Sequence, residues 1–185
     1  MEIRPASHDD CRAVAEVHVA SWQAAYAGIL DPVFLAGLSI DRREESWRQV
    51  LSARESELLL GLVGPSIVGF ASFGPSRDAD APSARAELWA LYVDPRAWST
   101  GAGRELWQAA HARMQSQGFS TVSLWVLERN ARAIGFYTAM GFRVEAGTEK
   151  EFELGGAMVR EMRMVHAQHS CASERGRAAA RTGLA

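Results

Sequence analysis

The stretch "VDPRAWSTGAGREL", residues 93 to 106, sets an extended apolar run ending at Val93 against a proline, two glycines and the start of a helical pattern. Gly101-Ala102-Gly103 stands where an alanine run would form helix more readily. A turn that feeds a helix presents unpaired N–H groups, and these donors together with the macrodipole suit phosphate oxygens. A Cβ at either glycine would hold such a ligand away from the backbone. The chemistry pointed to is capture of an anion by main-chain amides, with an ordinary turn as the plain alternative.

Two phosphate motifs can be tested by letter. A P-loop needs Gly-Lys-[Ser/Thr] four residues after a glycine, and no such run occurs. The dinucleotide fingerprint G-x-G-x-x-G fits in part, with Leu106 where the third glycine belongs, and Glu128 ends the next strand near the place of a ribose-binding acid. Against it, the glycines follow two helices and a hairpin instead of opening the first βα unit. A dinucleotide-dependent reductase stays open as a third reading.

A second stretch is more specific. "LWVLERNARAIGFYTAMGFR", residues 124 to 143, reads as strand, asparagine, short helix with an aromatic pair, then Met-Gly-Phe. It resembles motif B of the GCN5-related N-acetyltransferase (GNAT) superfamily, N-x-x-A-x-x-F-Y-x-x-x-G-F, with Asn130, Ala133, Phe136, Tyr137, Gly141 and Phe142 in place. The earlier stretch is then similar to motif A, V-x-P-x-x-[QR]-x-x-G-x-[GA], through Val93, Pro95, Gly101 and Gly103. Trp98 departs from the family's Gln or Arg; the backbone donors do not depend on that side chain, and its ring is expected beside the cofactor. The resemblance runs over roughly residues 2–166.

This resemblance implies acetyl-CoA binding where two central parallel strands, 86–93 and 121–127, splay apart. Main-chain groups of Leu91, Tyr92 and Val93 would pair with the pantetheine arm like an added strand. Amides of Ser99, Thr100, Gly101, Ala102, Gly103 and Arg104 would hold the diphosphate. Asn130, Ala133, Phe136 and Tyr137 would meet the cofactor arm, and Arg104, Arg129 and Arg132 its phosphates. Tyr137 matches the family's general acid. Glu87, six residues before Val93, resembles the family glutamate that serves as base.

The reaction implied is attack by a primary amine of a small molecule or peptide on the thioester, within a ternary complex. A lysine-like amine of pKa about 10.4 is neutral only about once in 2,500 molecules at pH 7, a handicap of about 4.6 kcal/mol. A base, direct or through water, recovers part of it. The carbonyl also needs N–H donors at its developing oxyanion, for which the 91–93 backbone is the candidate. Trp22, Tyr26 and Trp89 would line the acceptor pocket, and Glu149, Glu151 and Glu153 would favour a cationic amine. A non-catalytic acyl-CoA-binding sensor is the reading from another class. Keeping both Glu87 and Tyr137 favours the enzyme.

The elements that must position these residues follow from periodicity. Residues 2–6 read as a strand, Ser7 and Asp10 as a capping-box-like helix start, and Cys11, Val14, Ala15, His18, Trp22 and Ala25 as one helical stripe. "YAGILDP" is a loop and "LSIDRREESWRQVL" a second helix. "ELLLGLV", a "GPS" turn and "IVGFASF" form a hairpin, "PSRDADAPSAR" a polar loop and "AELWALYV" a strand. A helix from about Gly101 to Gln117 ends at Gly118; "TVSLWVL" is a strand and "NARAIGFYTAMG" a short helix. "FRVEAG" and "AMVREMRMV" close the pattern as strands joined by the acidic loop "TEKEFELGG". The order β-α-α-β-β-β-α-β-α-β-β implies a mixed α/β (α+β) fold, and the resemblance makes its sheet mostly antiparallel with helices on both faces. Residues 1–167 are expected to form one domain and residues 168–185 a disordered tail.

The totals bound the rest. A chain of 185 residues, 48% hydrophobic with six tryptophans, can bury one sizeable core. A net charge of −2 gives no basic field for nucleic acid. Cys11 and Cys171 lie too far apart for a disulfide framework, and the five histidines form no metal-ligand spacing. No run approaches a membrane span, so a soluble, cytoplasmic protein is expected, monomer or homodimer.

Overall fold

The computed structural model describes residues 1–167. The tail expected from Gln168, with His169 and Cys171, lies outside the described residues. Strand β1 (Glu2–Pro5) leads through a turn, where the Ser7 amide donates to Asp10 Oδ2 at 2.8 Å, into α1 (Cys11–Ala25). Helices α2 (Pro32–Ala36) and α3 (Ile40–Ala53) follow. The first of these ends what reads in sequence as a loop. Asp31 Oδ1 accepts from the Val33 and Phe34 amides at 2.8 and 3.0 Å, and Pro32 occupies the first turn, where no N–H is needed.

The remaining order is β2 (Glu57–Val63), β3 (Ser66–Pro75), β4 (Arg85–Val93), α4 (Ala102–Ser116), β5 (Thr121–Leu127), α5 (Ala131–Ala139), β6 (Arg143–Val144), β7 (Lys150–Leu154) and β8 (Ala157–Ala167). Eight strands make one sheet in the order β1-β2-β3-β4-β5-β8-β6, with β7 on β8. All pairs are antiparallel except β4 with β5. The mixed, mostly antiparallel sheet with helices on both faces is therefore present.

One element corrects the sequence reading. The acidic loop 148–156 contains β7, in which Phe152 and Leu154 join a small cluster with Leu30 and Leu35 while Glu151 and Glu153 face out. This is the alternation of a half-buried strand. Gly155 and Gly156, at φ +60° and +79°, make the two-residue turn into β8.

The sheet sorts its residues by face. Leu59, Ala71, Phe73 and Leu88 pack against Leu106, Ala110 and Met114 of α4. Leu58, Leu60 and Phe70 pack against Cys11, Val14 and Trp47 of α1 and α3. His18 of α1 is inside this second layer, 7% exposed, with Nδ1 accepting from Trp47 Nε1 at 3.1 Å and its ring stacked 4.9 Å from Tyr92.

Burial, with Arg43 adding to it, pushes the His18 pKa down to about 3. An unfolded histidine titrates near 6.5, so below that pH the unfolded chain binds the extra proton. The contribution of His18 to stability is complete above pH ~6.5 and is lost as pH falls from there toward about 3. Between pH 7 and 5 this amounts to about 2 kcal/mol. Denaturant unfolding at the two pH values is expected to show wild type losing that much more than His18→Gln. Equal losses would contradict a neutral buried imidazole.

Candidate active site

Strands β4 and β5 pair only through Arg85–Thr121, Ala86–Val122 and Glu87–Ser123. Beyond these they part, although β4 continues to Val93 and β5 to Leu127. The cause lies in β4. Its register against β3 shifts between Ser72, opposite Ala90, and Phe73, opposite Leu88, so Trp89 is an extra residue without a partner. Such a bulge bends and twists its strand, and it falls just where pairing with β5 ends. The Asp94 amide donates to Val68 O at 2.8 Å on the β3 side. By the alternation of the antiparallel ladder, the main-chain groups of Leu91 and Val93 turn toward the gap.

The gap opens into a cavity of about 680 Å³. At one end is the start of α4, which no side chain caps. Its first-turn amides therefore lack intrahelical acceptors. Gly101, at φ +97°, has no atom within 4 Å of where a Cβ would stand, so the approach to these amides is open. At Gly103 a Cβ would meet the Phe136 ring of α5 at 3.4 Å, an ordinary van der Waals contact.

Most residues expected at the cofactor line this cavity: Leu91, Tyr92 and Val93 from β4, Trp98, Ser99, Gly101, Gly103 and Arg104 from the turn, and Asn130, Arg132, Ala133, Phe136 and Tyr137 from α5 and its cap. Asn130 Oδ1 accepts from the Ala133 amide at 3.1 Å, which fixes the start of α5 and leaves its side-chain NH₂ as the group for a ligand. Trp98 donates its indole N–H to Val93 O at 2.8 Å, the carbonyl that Ser21 Oγ also reaches at 2.8 Å. The Arg132 guanidinium lies 4.0 Å over the Trp98 ring. Trp98 thus closes one carbonyl of β4 and draws a cation of α5 to the turn.

Tyr137, partly buried, keeps its ring 5.2 Å from Phe136 and 5.5 Å from Phe142. Burial, with Tyr92 adding to it, raises its pKa above the ordinary phenol value, so it is a proton donor at any working pH. Tyr26 and Trp89 line the other end, together with Trp125 of β5, while Ser21 and Ala25 of α1 also border the cavity.

Several expected residues stand off the lining. Glu87 is 2% exposed and its carboxylate is held by Arg77, through the main-chain amide at 2.9 Å and through the guanidinium. Thr100 turns its hydroxyl back to Ala97 O at 2.8 Å, and Ala102, the first residue of α4, is buried. Trp22 backs Tyr26 edge-on at 5.0 Å without reaching the cavity. Arg129 donates to Gly28 O at 3.0 Å, and Glu151 accepts from Arg160 at 3.0 Å. Glu149 and Glu153 are exposed and also off the lining. Trp125 was not expected; once the strands part beyond Ser123, Trp125 and Val126 of β5 border the gap. The loop 76–84 closes this end: the buried Arg163 holds Asp78 at 3.1 Å, Asp80 at 2.7 Å and Glu145 at 2.6 Å, while Trp125 Nε1 donates to Asp78 at 3.1 Å.

Comparison with known proteins decides what this arrangement is. Residues 15–142 match the Acetyltransferase (GNAT) family. The chain belongs to the GNAT acetyltransferase family. This acetyltransferase is 32% identical to the uncharacterized N-acetyltransferase YuaI of Bacillus subtilis, over 86% of the chain and 89% of the relative. It is 26% identical to a spermidine N(1)-acetyltransferase of Thermoplasma acidophilum, over 82% of the chain and 94% of the relative. Its fold is similar to the crystal structure of the PaiA N-acetyltransferase of Thermoplasma acidophilum in complex with coenzyme A, with TM-score 0.71 and 23% identity over 90% and 98% of the two chains. It is similar also to YncA of Salmonella typhimurium with acetyl-CoA, with TM-score 0.69 and 23% identity over 93% and 96%. The GNAT acetyltransferase is thus an acyltransferase enzyme of the N-acetyltransferase type. Among its described residues no helix is long and apolar enough to cross a membrane.

Proposed function

We propose that this acetyltransferase moves the acetyl group of acetyl-CoA to a primary amine of a small molecule or peptide, by direct attack in a ternary complex. One observation carries the reading: the uncapped start of α4, the free edge of β4 and Tyr137 border a single cavity. Acetyl-CoA fits that set. Its diphosphate meets the amides around Gly101, its pantetheine arm runs along Leu91–Val93, and its thioester comes to rest beside Tyr137. Arg132, held over Trp98, supplies a cation where the family motif carries Gln or Arg.

Tyr137 gives its proton to the departing CoA sulfur, and the amide of a β4 residue bordering the gap donates to the developing oxyanion. Trp89, Trp125 and Tyr26 line the acceptor end that a primary amine would enter, where Arg77 lies 4.4 Å over the Trp89 ring and Lys150 3.6 Å over the Trp125 ring. The spermidine acetyltransferase among the relatives is in keeping with an amine of this kind.

Thiol release from acetyl-CoA, measured against polyamines, aminoglycosides, amino acids and peptides with free N-termini, tests the proposal. At least one primary amine is expected to raise the rate well above the amine-free rate and to carry a single acetyl group afterwards. Initial-rate lines should intersect, as direct transfer requires; parallel lines would indicate a covalent acetyl-enzyme. Tight CoA binding with no amine able to speed thiol release would favour the sensor reading instead.

A further inference from the structure

Trp98 reaches both walls of the gap. On the β4 side its indole N–H donates to Val93 O at 2.8 Å, and on the α5 side the Arg132 guanidinium lies 4.0 Å over its ring. Trp98, Val93 and Arg132 all line the cavity. Strand β4 forms one wall, and α5 follows directly on β5, the other. A single side chain therefore bridges the space in which the two strands have parted. Val93 is buried, Trp98 partly exposed and Arg132 exposed, so the bridge runs outward to the protein surface and crosses the outer side of the cavity instead of its floor.

Both anchor points are fixed without help from Trp98. The Asp94 side chain accepts from the Arg96 amide and its carbonyl from the Ala97 amide, each at 2.8 Å, which sets the turn after β4. Asn130 Oδ1, accepting from the Ala133 amide at 3.1 Å, sets the first turn of α5. Opening the bridge thus breaks one hydrogen bond and one cation–π contact and leaves the backbone in place. Val93 O holds a second donor, Ser21 Oγ at 2.8 Å, so both of its lone pairs are used while the bridge is shut. In that state β4 offers a ligand the Val93 N–H and the main-chain groups of Leu91.

We propose that Trp98 is a strap that closes over the bound carrier, and that its opening gates the exchange of acetyl-CoA and CoA. This rests on the acetyl-CoA reading above. A carrier with its diphosphate at the start of α4 and its arm between β4 and β5 lies inward of the strap. Its sideways path out is barred while Trp98 holds Val93 and Arg132, and swinging the indole away frees it. The two contacts that hold the strap are to protein groups, so they weigh alike with and without the carrier. Removing them changes the rates of entry and exit together and spares their ratio.

Stopped-flow mixing with a CoA that carries a fluorophore on its adenosine end measures both rates. Trp98→Leu is expected to raise the association and dissociation rates together, each about 10-fold, and to leave their ratio within about 3-fold of wild type. Trp98→Phe keeps a ring for Arg132 and lacks the N–H, so its rates should fall between the two; it carries the test by itself if the leucine variant does not fold. A rise in the dissociation rate alone would mark Trp98 as an ordinary wall of the cofactor site. Unchanged rates in both variants would mean that the carrier threads beneath a closed strap. Each of these two results overturns the proposal. Thiol release by wild type reports separately on the acetyltransferase reading, and a wild type that binds no CoA would end that reading and the strap with it.

Discussion

Tyr137→Phe is expected to lower kcat by about 100- to 1,000-fold while leaving the dissociation constant for CoA within about 2-fold of wild type. The substitution removes one hydroxyl and nothing else. The ring contacts with Phe136 and Phe142, at 5.2 and 5.5 Å, are those a phenylalanine keeps. What is lost is a donor whose pKa burial and Tyr92 hold above the ordinary value. Such a group is protonated whenever the thiolate needs it, so no falling limb of the pH profile should belong to it below about pH 10. Thiol release under saturating acetyl-CoA, paired with calorimetric CoA binding, gives both numbers. An unchanged kcat would mean that the sulfur departs without help from α5.

Gly101→Asp is expected to weaken CoA binding by about 100-fold, and Gly101→Asn by less than about 5-fold. Both side chains tolerate a positive φ better than other residues do, so the backbone at φ +97° is disturbed comparably in the pair. They differ in charge. At the start of α4 an aspartate competes for the same amides and repels a diphosphate, whereas asparagine only competes. S-acetyl-pantetheine, which has no phosphate, should bind both variants alike. If it discriminates between them as CoA does, the negative group is not held at this turn.

How far the sequence carried the fold can be followed residue by residue. The Gly-rich turn and the Asn130–Phe142 stretch were legible because each depends on local chemistry: φ at Gly101 and a cap at Asn130. Strand β7 was hidden because its five residues are mostly charged; only Phe152 and Leu154 face inward, and the cluster they join is built from distant Leu30 and Leu35. Helix α2 was short, yet Asp31-Pro32 carried its signal.

The acceptor end was the hardest to read, because it is assembled by register. The identity of Trp125 as a wall depends on where β4 and β5 cease to pair, and that depends on one extra residue, Trp89, in β4. Glu87 has the right spacing from Val93, but Arg77 comes from a loop whose path no local pattern reveals.

The dependence of all these roles on one ligand path makes a crystal structure of the acetyl-CoA complex the most direct measurement. Diphosphate oxygens are expected within hydrogen-bond distance of main-chain amides between residues 99 and 104, with the pantetheine arm between β4 and β5 and the thioester sulfur next to the Tyr137 hydroxyl. A ligand seated elsewhere, or the two strands paired along their whole length with the gap closed, would contradict the account.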